Sequence, residues 1–216
     1  MEQSNQKTAI QIQWLGQSCF RLEADGYSIV LDPYEDHFIP GLSPLKVTAS
    51  EVLCSHDHAD HGCVSAVSIR PAGPSPFTVT RIASFHDDQN GALRGRNTIH
   101  RIECGGLKLA HLGDLGCMLS PEQIRELSGL DALLIPIGVY YTIDADQAYA
   151  VVQALRPRVV IPMHYRTDQF GFDVLDTADH FLSLFELVVE YPSDTMELTA
   201  DTDPHTAVLT YEGAGA

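Results

Sequence analysis

The stretch Ser55-His56-Asp57-His58-Ala59-Asp60-His61-Gly62 follows directly on the strand-like run Glu51-Val52-Leu53-Cys54. Three histidines and two aspartates fall within six residues of it. Neutral imidazoles and carboxylates are the ligands that zinc and similar divalent metals take. His56 and His58 are two apart, so in an extended segment they point to the same side. Asp60 and His61 are adjacent and follow a change of direction, so they can face a second point. The spacing therefore predicts two pairs of ligands for two metals. A solvated polar turn is the plain alternative, and this density of ligand-type side chains argues against it.

Composition narrows the field. A chain of 216 residues fits one domain over 1–216, with enough length to bury a sizeable core. Nothing in it reads as a linker or a repeat. Lys and Arg number 13 against 29 Asp and Glu, a formal charge of −16. A surface this acidic repels phosphate backbones, which argues against a nucleic-acid partner. Bound cations would offset part of that charge. No apolar run approaches the roughly 20 residues of a membrane span. Residues 1–7 lack the charged-then-apolar layout of a signal peptide. The five cysteines, Cys19, Cys54, Cys63, Cys104 and Cys117, form no C-x-x-C pair and are odd in number. They read as reduced thiols of a cytoplasmic protein. Cys117, three residues after Asp114, reads as a spectator thiol rather than a ligand.

The opening third reads as a β-meander: strands at 9–14, 18–22 and 27–31, with Asp25-Gly26 as a hairpin-turn pair. Residues 34–50, with Pro40, Gly41 and Pro44, form a long loop leading into the histidine segment, expected as a lid or wall over the site. A short helical turn at 62–68 and strands at 77–80, 82–85, 98–103 and 107–112 follow. Ser120-Pro121-Glu122-Gln123 is a capping box with proline at the first helical position. Asp144 is an N-cap for a helix whose Ala148, Val152 and Leu155 make one apolar stripe, stopped by Pro157. Buried strands at 131–137 and 158–163 flank that helix. A third helix over 176–185 and strands at 187–190, 196–199 and 207–211 complete the chain, with 213–216 as a tail.

Four segments share one layout, an apolar strand followed by His or Asp at its end. They lead to His56-x-His58-x-Asp60-His61, His86, Gly113-Asp114 and His164. Strands of one layer end at a common rim, so His56, His58, Asp60, His61, His86, Asp114 and His164 can converge. A lone histidine after a strand is ordinarily a rim residue; together the seven fit one site.

These residues resemble the metal-ligand series of the metallo-β-lactamase superfamily. Trp14-Leu15-Gly16-Gln17-Ser18-Cys19-Phe20, Leu31-Asp32-Pro33-Tyr34, Ile135-Pro136-Ile137-Gly138, Tyr141-Thr142-Ile143-Asp144 and Ile161-Pro162-Met163-His164-Tyr165 are similar to the ascorbate-6-phosphate-lactonase-like branch. Gln17 stands where many of that branch have His, and Val139 where a second Gly is common. The resemblance implies an α+β fold, the four-layer αβ/βα sandwich. It implies that His56, His58 and His86 hold one metal and Asp60, His61 and His164 the other, with Asp114 bridging.

A bridging carboxylate lets two cations sit roughly 3.5–4 Å apart, where a shared water becomes hydroxide near neutral pH. Such a hydroxide attacks a carbonyl or phosphorus centre, and Asp60 can orient it. Asp32 is placed to accept the free ring N–H of a ligand histidine. Arg94 and Arg96 are the candidate anion-binding pair for substrate, and Tyr141 a pocket-lining residue. The expectation is a dinuclear hydrolase of an ester, lactone or phosphodiester of a small molecule. Zinc is the default metal, with manganese or iron accepting the same groups. Self-association into a homo-oligomer is left open. The alternative is a non-catalytic metal-binding or ligand-sensing domain, against which the complete ligand set counts. Structural zinc takes four ligands, often with Cys, and does not suit seven.

Overall fold

The computed structural model describes residues 8–213, so the N-terminal stretch 1–7 and most of the expected tail, 214–216, lie outside the described residues. The meander forms as its turn chemistry dictates. β1 (Ala9–Gly16), β2 (Cys19–Ala24) and β3 (Tyr27–Leu31) are successive antiparallel neighbours. Asp25 and Gly26, both at positive φ (50° and 75°), close the β2–β3 hairpin as a two-residue turn requires. β4 (Val47–Ala49) and β5 (Glu51–Leu53) follow, β5 lying parallel to β3. A 3-10 turn at Val64–Ala66 leads into β6 (Val67–Ile69), which pairs with β4.

The expected loop 34–50 thus carries a short strand, and the expected helical turn at 62–68 is half strand. Neither end of that parallel pair is legible locally, because the partners are some twenty residues apart. Two expected strands at 77–85 are one, β7 (Thr78–Phe85): Arg81, which seemed to interrupt them, faces outward opposite His100. β8 (Arg96–Cys104) begins two residues earlier than its apolar run suggests.

β9 (Leu107–His111), α1 (Pro121–Glu126), β10 (Ala132–Pro136), α2 (Ala145–Leu155), β11 (Val159–Met163), α3 (Asp179–Ser183), β12 (Val188–Glu190), β13 (Thr195–Thr199) and β14 (His205–Val208) complete the order. Both expected capping boxes are made, Ser120 with Gln123 and Asp144 with Gln147. α2 buries Ala148, Val151, Val152 and Leu155 and ends at Arg156, left-handed (φ 49°) before Pro157. α3 is shorter than the apolar pattern of 176–185 suggests, because Ala178 at its start supplies no side-chain cap.

The strands make two main sheets, ordered β13-β1-β2-β3-β5 and β12-β14-β11-β10-β9-β8-β7. Every residue of β10 and β11 is buried, as expected of parallel strands covered on both faces. The five-stranded sheet instead turns a polar, partly exposed row outward, with Gln11 opposite Glu23 and Glu197. Its other face meets the larger sheet. Phe20 and His111 touch edge-on at 6.0 Å between ring centroids, and Trp14 stacks on Tyr165 at 5.6 Å. Gly113 N–H donates to His111 Nδ1 (3.1 Å), so Nε2 carries the proton donated to Ser18 O across the sheets (2.9 Å). Burying a side chain such as Phe20 contributes about 1.5–3 kcal/mol, and residues of both sheets share one core. The result is the expected α+β sandwich.

Because β7, β9, β10 and β11 run the same way, their carboxyl ends share one rim.

Candidate metal centre

At that rim the seven candidate ligands form two groups, His56 with His58 and His86, and Asp60 with His61, Asp114 and His164. The segment carrying the first two is a turn rather than a strand: His61 N–H and Gly62 N–H both donate to His58 O (2.9 and 2.7 Å). His56 Nε2 and His58 Nδ1 nevertheless point at one place, 3.1 Å apart. Asp114 Oδ2 lies 3.1 Å from His61 Nε2, 3.3 Å from both His86 Nε2 and His164 Nε2, and 4.0 Å from His56 Nε2. Asp60 Oδ2 stands 3.4 Å from His61 Nε2 and 3.8 Å from His164 Nε2. Two atoms on one tetrahedral zinc, each about 2.0–2.1 Å from it, lie about 3.3 Å apart. His56 to His58 at 3.1 Å, and the 3.1–3.8 Å spacings of Asp60 and Asp114 from His61 and His164, lie near that edge.

The atoms facing inward also lack protein partners. His61 Nε2, His164 Nε2 and Asp114 Oδ1 are buried without a hydrogen-bond partner. Buried polar atoms are ordinarily satisfied, so a set of them aimed at one point fits a cation. Electrostatics agree. Burial opposes the charge on His61, yet Asp114 and Asp60 outweigh it and raise its pKa well above the usual range. His164 is likewise raised to about 9, chiefly by Asp114 against the effect of burial. Burial, and then His61, hold His56 down at about 3, and burial also lowers His86. Burial works against ionisation of Asp60 and Asp114, but the neighbouring His61 and His164 keep both carboxyls well below their usual values. The group around Asp114 therefore demands positive charge, whereas His56 and His86 offer neutral imidazoles.

Supporting residues hold the ligands in place. Asp32, fully buried and at φ 48°, accepts from His61 Nδ1 (2.8 Å), Ser55 N–H and Ser55 Oγ–H (both 2.6 Å). Asn97 Oδ1 accepts from Asp114 N–H (3.0 Å), and its amide donates to Leu112 O and Ser84 Oγ. Gly113 permits this packing: a Cβ there would fall 2.3 Å from Asn97 Oδ1 and 2.5 Å from Ser55 Cβ.

A pocket of about 330 Å³ opens over the ligands. His58, Asp60, His86 and Asp114 form its floor, and Phe38, Arg94, Tyr141 and Phe172 its walls. Phe38 comes from the 34–50 loop, which Glu35 N–H ties to Ala59 O (2.7 Å), so this segment is a wall as expected. The Arg94–Arg96 pair is split. Gly95, at φ 92°, turns the chain between them, and Arg96 lines a different depression with Cys54, His56, Asp57 and Val64. Cys117 belongs to neither ligand group; its Sγ lies 4.0 Å from Phe85 O.

Residues 11–164 match the family model described as a beta-lactamase superfamily domain, well over half of the chain. The chain belongs to the metallo-β-lactamase superfamily. Among curated proteins, a UPF0173 metal-dependent hydrolase of Pyrobaculum neutrophilum is 29% identical over 192 residues, 73% of this chain and 85% of that protein. One from Natranaerobius thermophilus is 26% identical over 88% of this chain and all of that one. A solved structure from Thermotoga maritima, assigned to the Zn-dependent hydrolases of the metallo-β-lactamase superfamily, superposes with a TM-score of 0.71. It is 33% identical and covers 93% of this chain and 98% of its own.

This metallo-β-lactamase superfamily member is a metal-dependent hydrolase. None of those three relatives is named a lactonase, so the branch-level likeness goes no further than the motifs that suggested it. Ser55, Asn97 and the aromatic wall of Phe38 and Phe172 escaped the sequence reading. A serine in a turn or an asparagine opening a strand carries no local signal of a role played 17 to 23 residues away. In a metallo-β-lactamase fold such residues are identified only by what they touch.

Proposed function

We propose that the chain is a dinuclear hydrolase that cleaves an ester, lactone or phosphodiester bond in a small molecule. The observation that carries this reading is Asp114, whose Oδ2 lies within 4.0 Å of Nε2 of His56, His61, His86 and His164. On this reading His56, His58 and His86 would hold one ion and Asp60, His61 and His164 the other, with the Asp114 carboxylate between the two groups. Zinc suits these ligands first, and manganese or iron also accept them. When bound, the ions supply a water activated near neutral pH and stabilise developing negative charge.

The chain's own groups do the rest. Asp60, held ionised by its histidines and lining the pocket, would orient the water toward the substrate. Arg94 and Tyr141 contact the substrate from the wall. A pocket of about 330 Å³ is the size of a small-molecule site, and with the net charge of −16 it argues against a nucleic-acid substrate. Five free cysteines support a cytoplasmic setting. Among the described residues no helix is long and apolar enough to cross a membrane.

The test is elemental analysis of wild type and His58→Ala, followed by a screen of lactones and phosphodiesters. About two ions per chain, with a clear loss in the variant and turnover of one substrate class, is the expected result. Absence of bound metal after reconstitution with zinc and with manganese would overturn it.

A further inference from the structure

Among the described residues Arg94 is the one arginine or lysine lining the pocket. Among the described residues Arg94 has no carboxylate partner, like Arg70, Arg96 and several other arginines but unlike Arg21, Arg101 and Arg158. Its guanidinium instead lies over the rings of Tyr140 and Tyr141, 5.8 and 5.7 Å from their centroids. A guanidinium attracted to aromatic rings keeps N–H groups that can bond an anion.

The loop that presents it is built rather than loose. The Asp87 carboxylate, next to the ligand His86, accepts four backbone N–H groups: Gln89 and Gly91 on Oδ1 (both 2.8 Å), Leu93 and Arg94 on Oδ2 (3.0 and 2.8 Å). Gly95 N–H closes on Gly91 O, and His86 N–H on Gly95 O (both 3.1 Å). The Arg94 backbone is thereby fixed relative to the candidate ligand His86. Opposite it, Phe38 and Phe172 meet edge-on at 5.8 Å, and Phe172 meets Tyr141 at 6.2 Å. In a chain of net charge −16 a lone unpaired arginine at the mouth is the local exception to a field that repels anions.

We propose that the substrate carries a carboxylate or phosphate read by Arg94, on a flat or apolar body held against Phe38, Phe172 and Tyr141, with Asp87 as the positioning residue for Arg94. This rests on the hydrolase reading above and adds the substrate class.

The test uses metal-loaded protein and three p-nitrophenyl esters of similar length, ending in a carboxylate, a phosphonate or a neutral methyl ester. One charge-assisted hydrogen-bonded contact predicts a kcat/KM preference of about 10- to 100-fold for one anionic ester over the neutral one. Arg94→Ala removes that preference through KM, and its effect on the neutral ester is far smaller. Arg94→Lys restores part of it. Asp87→Asn, which sets an NH2 group against backbone donors, raises KM for the anionic ester more than it lowers kcat. Arg96→Ala, outside the pocket, keeps the preference. Whichever anion is favoured identifies the group. Equal rates on all three esters, equal losses on all three in Arg94→Ala, or a preference that persists without Arg94 and so belongs to the metals, would each overturn the proposal.

If no ester is turned over, the hydrolase reading is what fails, and calorimetry still tests the arginine. Wild type then binds 3-phenylpropionate or its phosphonate analogue more tightly than 3-phenylpropionamide, Arg94→Ala does not discriminate, and Phe172→Ala weakens all three. Equal binding of acid and amide by wild type would overturn the proposal on its own.

Discussion

Asp32 Oδ2 accepts the Nδ1 proton of His61 at 2.8 Å, and this bond aims His61 Nε2 at Asp114, 3.1 Å away. It selects the tautomer whose lone pair faces the centre. Asp32→Ala removes the partner that orients the ring and leaves the buried Ser55 N–H unpaired. Loss of such a supporting carboxylate predicts metal affinity about 10- to 100-fold weaker. Competition with a coloured chelator measures this; unchanged affinity in Asp32→Ala would show that His61 is held by packing alone.

Gly116 lies against the backbone at the first ligand group. A Cβ there would meet His86 C at 2.3 Å and Asp87 N at 2.4 Å, both main-chain atoms that cannot rotate away. Gly116→Ala therefore pushes His86 from His56 and His58, with a stability loss of about 1–3 kcal/mol. Urea unfolding and metal content should fall together. A variant of full stability that retained its metal would mean that this turn is softer than its contacts imply.

Val139 sits at φ 65° between Gly138 and Tyr140, whose N–H bonds Gly138 O at 2.9 Å, a three-residue turn around a β-branched residue. A left-handed conformation costs an L-residue about 1–2 kcal/mol. Glycine removes that strain but costs about 0.4–1 kcal/mol in chain freedom. Val139→Gly should thus gain about 0.5–1 kcal/mol in urea unfolding while raising KM, since Tyr140 and Tyr141 lose their fixed setting. Destabilisation would show that Val139 packs better than its 37% exposure suggests.

His100 is buried on β8, and burial, with His111 and Arg81 adding to it and Asp32 opposing, holds its pKa down to about 4. Unfolded, it titrates near 6.5. Between those values the unfolded chain binds a proton that the folded chain refuses. Stability is therefore complete above about pH 6.5 and declines as pH falls toward 4, by roughly 3 kcal/mol in all. Urea titrations at pH 7 and 4.5 should give His100→Leu a shallower acid loss than wild type. Equal slopes would assign acid sensitivity to the ligand histidines instead.

Much of this protein was legible before any coordinates. Asp25-Gly26, the capping boxes at Ser120 and Asp144, and the stop at Pro157 act over four residues or fewer, so the local sequence determined them. The candidate ligands were legible for a related reason: which side chains can bind a metal is a property of the side chains. Position in space was not. Arg94 and Arg96 are near neighbours in sequence, yet one lines the pocket over the candidate ligands and the other a different depression, because Gly95 turns the chain between them. The bonds from Asp32 to His61, from Asn97 to Asp114 and from Glu35 to Ala59, and the meeting of Phe38 with Phe172, join residues 17 to 134 apart. Those contacts follow from which strand lies beside which and where two sheets share a rim. Such choices are made by packing over the whole chain, and only the tertiary structure decided them.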